Sequence, residues 1–376
     1  MNPLSLHIIS FDIPYPANYG GVIDVFYKIK ALHGAGVKIH LHCYEYQRTP
    51  APELEKYCES VRYYPRRTGI GVNFSLKPYI IASRMSDELL EDLLHDDFPI
   101  LFEGLHTCGF IGDARLSGRF LVYRESNIEH HYYYHLFRAE KKLLKRIFFL
   151  AESARLKLFQ KTLANASVML TVSQEDTNYL SAAFPGKRVV YLPSFHRHAG
   201  VNIQAGKGTF ALYHGKLSVP ENSTAAEFLI SQVWEESFPG LVIAGLDPPA
   251  WLTKLAQNRP NIRFVINPSD DDMFRLIHEA HVNIMVTFQP TGLKLKLLNA
   301  LFNGRFCLVN PHMVTGTTLG GLCLQASGAA EFKEQIRLLF RQDFPESLII
   351  QRESILEKNY SNQNNCKTLV EILTLR

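Results

Sequence analysis

The stretch VTFQPTGLKLKLLNALFNGRFCLV, residues 286–309, joins a strand-like apolar run, a turn at Pro290, Thr291 and Gly292, and a helix beginning near Leu293. A helix start presents unpaired backbone N–H groups and the positive end of a dipole, so it favours an anion. Lys294 and Lys296, either side of Leu295, add ammonium charge, which makes this loop a candidate diphosphate cradle. The alternative is a solvated helix start whose lysines serve solubility. A second stretch, TFALYHGKLSVPENSTAAEFLI (209–230), puts Gly215 and then Lys216 at the end of another strand. In a doubly wound sheet ligands bind beyond the carboxyl ends of the strands, so the two basic loops are expected to converge on one switch point. Pro220 and Asn222 read as the turn and cap residues that open the following helix.

The first half carries further candidates. PYPANYGGVIDVF (14–26) follows a strand as a loop into a helix, and Gly20 and Gly21 lack the Cβ that would hold a ligand away from the backbone; a tight strand-to-helix turn is the other reading. The loop is not a GxGxxG dinucleotide fingerprint. His106 follows PILFEGL at the expected carboxyl end of a strand, as a candidate catalytic group or a structural histidine. The run YRESNIEHHYYYHLF (123–137) brings together Arg124, Glu125, Asn127, Glu129 and His130, a candidate surface for a second substrate or an ordinary polar entry into a helix. Asp270, Asp271 and Asp272 follow Ser269 at a helix start, where acidic residues complement the dipole, so they read as a cap and no metal site is expected. Residues 136–163 read as one long basic amphipathic helix, either core-facing with a solvated face or able to lie on an anionic membrane surface.

Short apolar runs alternating with helix-period segments must position these residues, and that alternation is the sequence form of parallel sheets wound with helices. Strands are expected at 6–12, 38–45, 99–105, 119–126, 166–173 and 188–194, then at 209–215, 241–245, 262–266, 282–288 and 306–310. At 376 residues the chain is long for a single core, so two α/β domains are expected, 1–195 and 209–350, joined by a polar, Gly-containing linker. Two helices parted near 360–365 would end the chain as a segment, 351–376. The net charge of +4 gives no reason to expect nucleic acid, and the six cysteines lack metal or disulfide spacing. Neither a signal peptide nor a membrane span is legible, so a reduced, cytoplasmic setting is expected.

The order strand, Gly215, Lys216, Leu217, then Pro220 and Asn222 opening a helix, then LVIAG, then a GxK-like loop and a helix ending in Asn303-Gly304 before an apolar strand resembles the donor half of GT-B glycosyltransferases of the large retaining family. The resemblance implies two Rossmann-like domains facing across a cleft, with a C-terminal helix returning to the first. It implies transfer of a hexose from a UDP- or GDP-type sugar to a glycan or lipid-linked glycan acceptor, with no cofactor and no active-site metal. Lys216, with Lys294 or Lys296, would grip the donor diphosphate, assisted by Gly20, Gly21, Gly215, Thr291, Gly292, Leu293 and Leu295. His106 would stand beside the reacting sugar, and Arg124, Asn127 and Glu129, in a segment similar to one in bacterial polysaccharide glycosyltransferases, would face the acceptor. Many members carry two glutamates eight positions apart where this chain has Thr291 and Asn299; Asn299 can still hydrogen-bond a ribose, whereas Thr291 supplies no carboxylate. Domain closure around the donor and peripheral membrane contact through 136–163 are further expectations. A nucleotide-sugar epimerase and a non-catalytic sugar-nucleotide-binding protein remain as alternatives.

Overall fold

Runs such as ILFE, LVYR, VMLT, VNIM and FCLV are buried at every position, as parallel strands covered by helices on both faces must be. The computed structural model describes residues 3–69, 71–72, 75–288 and 295–374. Two compact units divide the chain: Met1–Arg197 with Asn362–Arg376, and His198–Ser361.

The first unit holds β1 (Ser5–Ser10), β2 (Lys38–Glu45), β3 (Ser60–Pro65), β4 (Ile100–Glu103), β5 (Leu121–Arg124), β6 (Val168–Thr171) and β7 (Arg188–Tyr191). They pair in parallel in the order β3-β2-β1-β4-β5-β6-β7. Its helices are α1 (Gly20–Gly34), α2 (Tyr79–Ala82), α3 (Asp87–Leu93), α4 (Glu129–Ala139), α5 (Leu143–Phe159) and α6 (Gln174–Ala183). Buried ion pairs lock α1 to this sheet. The Lys28 ammonium donates to Asp24 at 3.0 Å and to Glu103 at 2.6 Å, and the Arg124 guanidinium reaches both Asp24 oxygens at 3.2 Å. Burial alone would raise the Asp24 pKa, yet Arg124 and Lys28 together hold it at about 2. Removing any one member would leave a buried charge uncompensated.

The second unit holds β8 (Phe210–Lys216), β9 (Gly240–Leu246), β10 (Ile262–Ile266), β11 (Val282–Met285), β12 (Phe306–Val309) and β13 (Leu324–Gln325), paired in parallel in the order β10-β9-β8-β11-β12-β13. Its helices are α7 (Pro220–Phe228), α8 (Ala250–Leu255), α9 (Asp270–Glu279), α10 (Leu295–Asn303), α11 (Pro311–Val314), α12 (Ala329–Leu339) and α13 (Glu346–Tyr360). Ser269 caps α9, its hydroxyl accepting from the Asp272 amide at 3.1 Å, so the acidic triplet serves the helix start.

The last helix, α14 (Asn362–Thr374), returns to the first unit, where Cys366, Leu369, Ile372 and Leu373 share a core with Val25, Ile29 and Leu32 of α1. The terminal segment expected at 351–376 therefore divides at Ser361, because α13 packs Leu356 and Tyr360 against Leu298 and Leu301 of the second unit. Residues 195–209 are also not a free linker. The Phe195 amide donates to Asp24 and the His196 amide to Asn362 in the first unit, whereas Gly206 pairs with Phe344 and Asn202 bonds Phe302 in the second. The long helix expected at 136–163 is broken: Glu140 is extended, and its carboxylate accepts from the amides of Lys141 and Lys142 at 2.8 and 2.9 Å. These N–H groups are thereby lost to helix propagation and α5 starts afresh.

Candidate functional site

In the second unit the strand order reverses between β8 and β11, so the loops leaving their carboxyl ends diverge and open a crevice between them. Gly215 and Gly245 face each other across β8 and β9, and a Cβ on Gly245 would stand 1.8 Å from the Gly215 carbonyl oxygen. The strands close to contact at the place where the loop begins. Lys216 ends β8 with an exposed side chain, and its carbonyl accepts from the Asn222 side-chain amide at 3.0 Å. The other end of that amide faces α10, for the Lys296 ammonium donates to Asn222 Oδ1 at 3.2 Å and stands 6.0 Å from the Tyr213 ring centroid. Asn222 thus ties both expected lysines into one arrangement.

Asn222 is not the cap it was expected to be. Val219 holds the cap position without a side-chain bond and Pro220 opens the helix, which places Asn222 in the first turn with its amide turned toward Lys216 and Lys296. Burial lowers the Lys296 pKa, against the pull of the Glu221 carboxylate. Glu221 itself accepts from the Thr287 hydroxyl, and the Thr287 amide and carbonyl are both held by Asn310, at 3.1 and 2.6 Å. Among the described residues no carboxylate lies within ion-pair distance of Lys296. Its half-buried ammonium rests on a neutral amide and a ring face. His214, one residue before Gly215, is buried; desolvation and then Lys296 press its pKa down to about 4, so it is neutral at pH 7.

The remaining candidates of this loop divide. Thr291, Gly292, Leu293 and Lys294 lie outside the described residues, and Leu295 opens α10. Asn299 is engaged within its own helix, where its carbonyl and side-chain oxygen accept from Asn303 at 2.8 and 3.0 Å. Among the described residues no cluster of three or more histidine, cysteine or acidic side chains could hold a metal ion.

In the first unit β1 and β4 are the neighbours at the reversal of strand order, and the residues beyond them gather. Gly104, in the left-handed region at φ +74°, turns the chain so that His106 packs over the Phe11 ring at 5.5 Å. Gly21 is needed by the same ring, since a Cβ there would lie 2.5 Å from Phe11 Cζ. Gly20 is the first residue of α1, and Tyr19 supplies that helix start with no side-chain cap. Gly21 and His106 thus meet at the Phe11 ring, with Gly20 beside Gly21 in the chain.

Glu129 Oε1 stands 3.8 Å from His106 Nδ1, too far for a hydrogen bond. Burial drives the two in opposite directions. The His106 pKa falls well below its ordinary value, helped by Arg84 and Arg66, and Glu129 is pushed up to about 8, with Arg84 opposing. At pH 7 the pair is an uncharged imidazole beside a protonated carboxyl. Arg84 had no motif to mark it. It is buried behind the cluster, donating to the Phe11 carbonyl at 2.9 Å and the Ile80 carbonyl at 2.8 Å, and burial brings its pKa down to about 10.

One acceptor-side expectation is corrected. Arg124 is fully buried, paired with Asp24 and donating to the Leu192 and Pro193 carbonyls, so it offers no surface to a ligand. Asn127 is half-buried, and its backbone N–H donates at 2.8 Å to Glu125, a buried carboxyl that also accepts from Tyr123 at 2.6 Å.

Two doubly wound parallel units, with the final helix crossing back to the first, define the GT-B fold. No family model matches the chain. A curated relative from Klebsiella pneumoniae, described as an uncharacterized 44.6 kDa protein in the cps region, is 24% identical over 355 residues, 88% of this chain and 89% of its own. Among solved structures, sucrose-phosphate synthase from Thermosynechococcus elongatus superposes with a TM-score of 0.69 at 13% identity, covering 98% of both chains. HepE from Anabaena, solved in complex with UDP and glucose, does so with a TM-score of 0.64 at 11% identity, covering 99% of this chain and 100% of its own. At such identities the likeness is one of fold.

Proposed function

We propose that the protein is a glycosyltransferase that moves a hexose from a nucleotide diphosphate sugar to a glycan or lipid-linked glycan acceptor in the cytoplasm, with retention of anomeric configuration. The observation that carries this reading is the half-buried Lys296 ammonium at the switch point of the second sheet, which among the described residues has no carboxylate partner and is joined to the Lys216 carbonyl through Asn222. Its charge suits the diphosphate, whose negative charge grows as the bond to the sugar breaks, and a preorganised cation meeting that charge lowers the barrier. In this reading the two lysines neutralise the leaving group, so transfer needs no metal. UDP and glucose in HepE and the cps-region setting of the Klebsiella relative support the choice of donor and product class.

Lys296→Met, which keeps the stem and removes the charge, should lower kcat/KM by roughly a hundredfold and weaken UDP or GDP binding, because a desolvated diphosphate loses a charge-assisted partner. Titration calorimetry with each nucleoside diphosphate measures the binding directly. A folded Lys296→Met protein that binds both nucleotides as the parent does would overturn the assignment.

A further inference from the structure

α5 is built with an inside and an outside. Phe149, Ser153 and Leu156 turn inward, with Leu156 in the core and the Ser153 hydroxyl donating to the His130 carbonyl at 2.7 Å. Leu144, Ile147, Ala151 and Leu158 recur at helical spacing on the opposite side and are exposed, Leu144 by 82%, Ile147 by 57% and Leu158 by 65%. Leu143, at the tip where α4 gives way to α5, is 70% exposed. Large aliphatic side chains displayed together at this level mark an interaction surface.

The charge around the ridge selects its partner. Residues 138–161 contain eight basic and two acidic side chains. Lys141, Lys142, Lys145, Lys157 and Lys161 are exposed, and among the described residues none of the five pairs with a carboxylate. A second copy would bring the same positive charge against itself. An anionic bilayer matches both features, since its phosphates meet the lysines while its hydrocarbon boundary receives the leucines and isoleucine. No helix among the described residues is long and apolar enough to cross a membrane, so α5 would lie in the plane of the interface.

We propose that α5 and its tip at 140–143 form a docking surface for anionic lipid bilayers, Leu143, Leu144, Ile147 and Leu158 entering the headgroup boundary and the flanking lysines contacting lipid phosphates. This stands apart from donor binding, which rests on the other unit. The test is flotation of the full chain with phosphatidylcholine vesicles and with vesicles that also contain phosphatidylglycerol. Binding should favour the anionic vesicles and fall as salt rises. Leu144→Glu/Ile147→Glu should weaken it by about tenfold or more, since two buried aliphatics are lost, and Lys145→Gln by ~fivefold. These positions are exposed, so the variants should melt like the parent and bind nucleoside diphosphate unchanged. Equal flotation on neutral and anionic vesicles, or an unaffected Leu144→Glu/Ile147→Glu protein, would overturn the proposal. So would light scattering that shows a dimer abolished by the same substitutions together with no vesicle binding, because the ridge would then belong to a second copy.

Discussion

Glu129 lies under 4 Å from His106, and burial holds a proton on its carboxyl against the opposing pull of Arg84. Between its ordinary 4.5 and about 8 the folded chain retains a proton that the unfolded chain releases. The folded pKa is the higher one, so this carboxyl favours folding less and less as pH rises through that window, by ~1.4 kcal/mol per pH unit. Glu129→Gln should therefore gain stability relative to the parent as pH is raised toward 8, measured as midpoints of urea unfolding at several pH values. If the His106 cluster serves transfer, the parent should also lose activity above about pH 8, where a carboxylate appears beside the imidazole, and Glu129→Gln should lack that limb. A parallel pH dependence of stability in both proteins would mean that Glu129 is ionised in the fold. At this scale the sequence pointed to the approach of Lys216 and Lys296, because both lie where a strand ends at its carboxyl side, whereas it gave no sign that Glu129 stands beside His106. It did not show the direction in which a side chain turns. Arg124, the last residue of β5, points into the sheet's ion cluster, and Asn222 bridges two lysines in place of capping its helix.

The elements meet most tightly at the paired glycines of β8 and β9, which makes these strands the place where packing and site are hardest to separate. A Cβ on Gly245 would fall on backbone, 1.8 Å from the Gly215 carbonyl oxygen, whereas one on Gly215 would meet the Asn222 side chain at 3.0 Å. Gly245→Ala must push the strands apart and should destabilise the second unit by at least ~1–3 kcal/mol, as overpacking does. Gly215→Ala can be relieved by moving Asn222, which releases Lys296, so it should keep most of its stability while losing nucleoside diphosphate affinity. Thermal unfolding beside calorimetry separates the two, and equal effects of both substitutions would refute this division. Most strands were legible because their apolar runs are continuous and buried on both faces. β3, with the sequence SVRYYP, escaped because it is an edge strand with Tyr64 alone fully buried and a terminal proline. The break at Glu140 escaped for a different reason: apolar residues recur at helical spacing on both sides of it, and the interruption comes from one carboxylate taking two backbone N–H groups.

At the scale of the whole molecule, the chain leaves the first unit at Arg197 and re-enters it at Asn362, so the stability of that unit depends on residues far along the chain. Leu369, Ile372 and Leu373 are buried in the core they share with α1, and Asn362 exchanges two hydrogen bonds with the His196 backbone, at 3.0 and 2.6 Å. Each fully buried aliphatic contributes ~1.5–3 kcal/mol, so the three together approach the ~5–15 kcal/mol that holds a typical domain folded. Ending the chain after Ser361 should therefore unfold Met1–Arg197 while leaving His198–Ser361, whose α13 is retained, close to native. Hydrogen exchange read by mass spectrometry resolves the two outcomes segment by segment. Protection should collapse in β1, β4 and α1 and persist in β8, β9 and β11. Native protection throughout the shortened chain would mean that the first sheet closes its core without α14, and the crossing back would then be a matter of arrangement and not of stability.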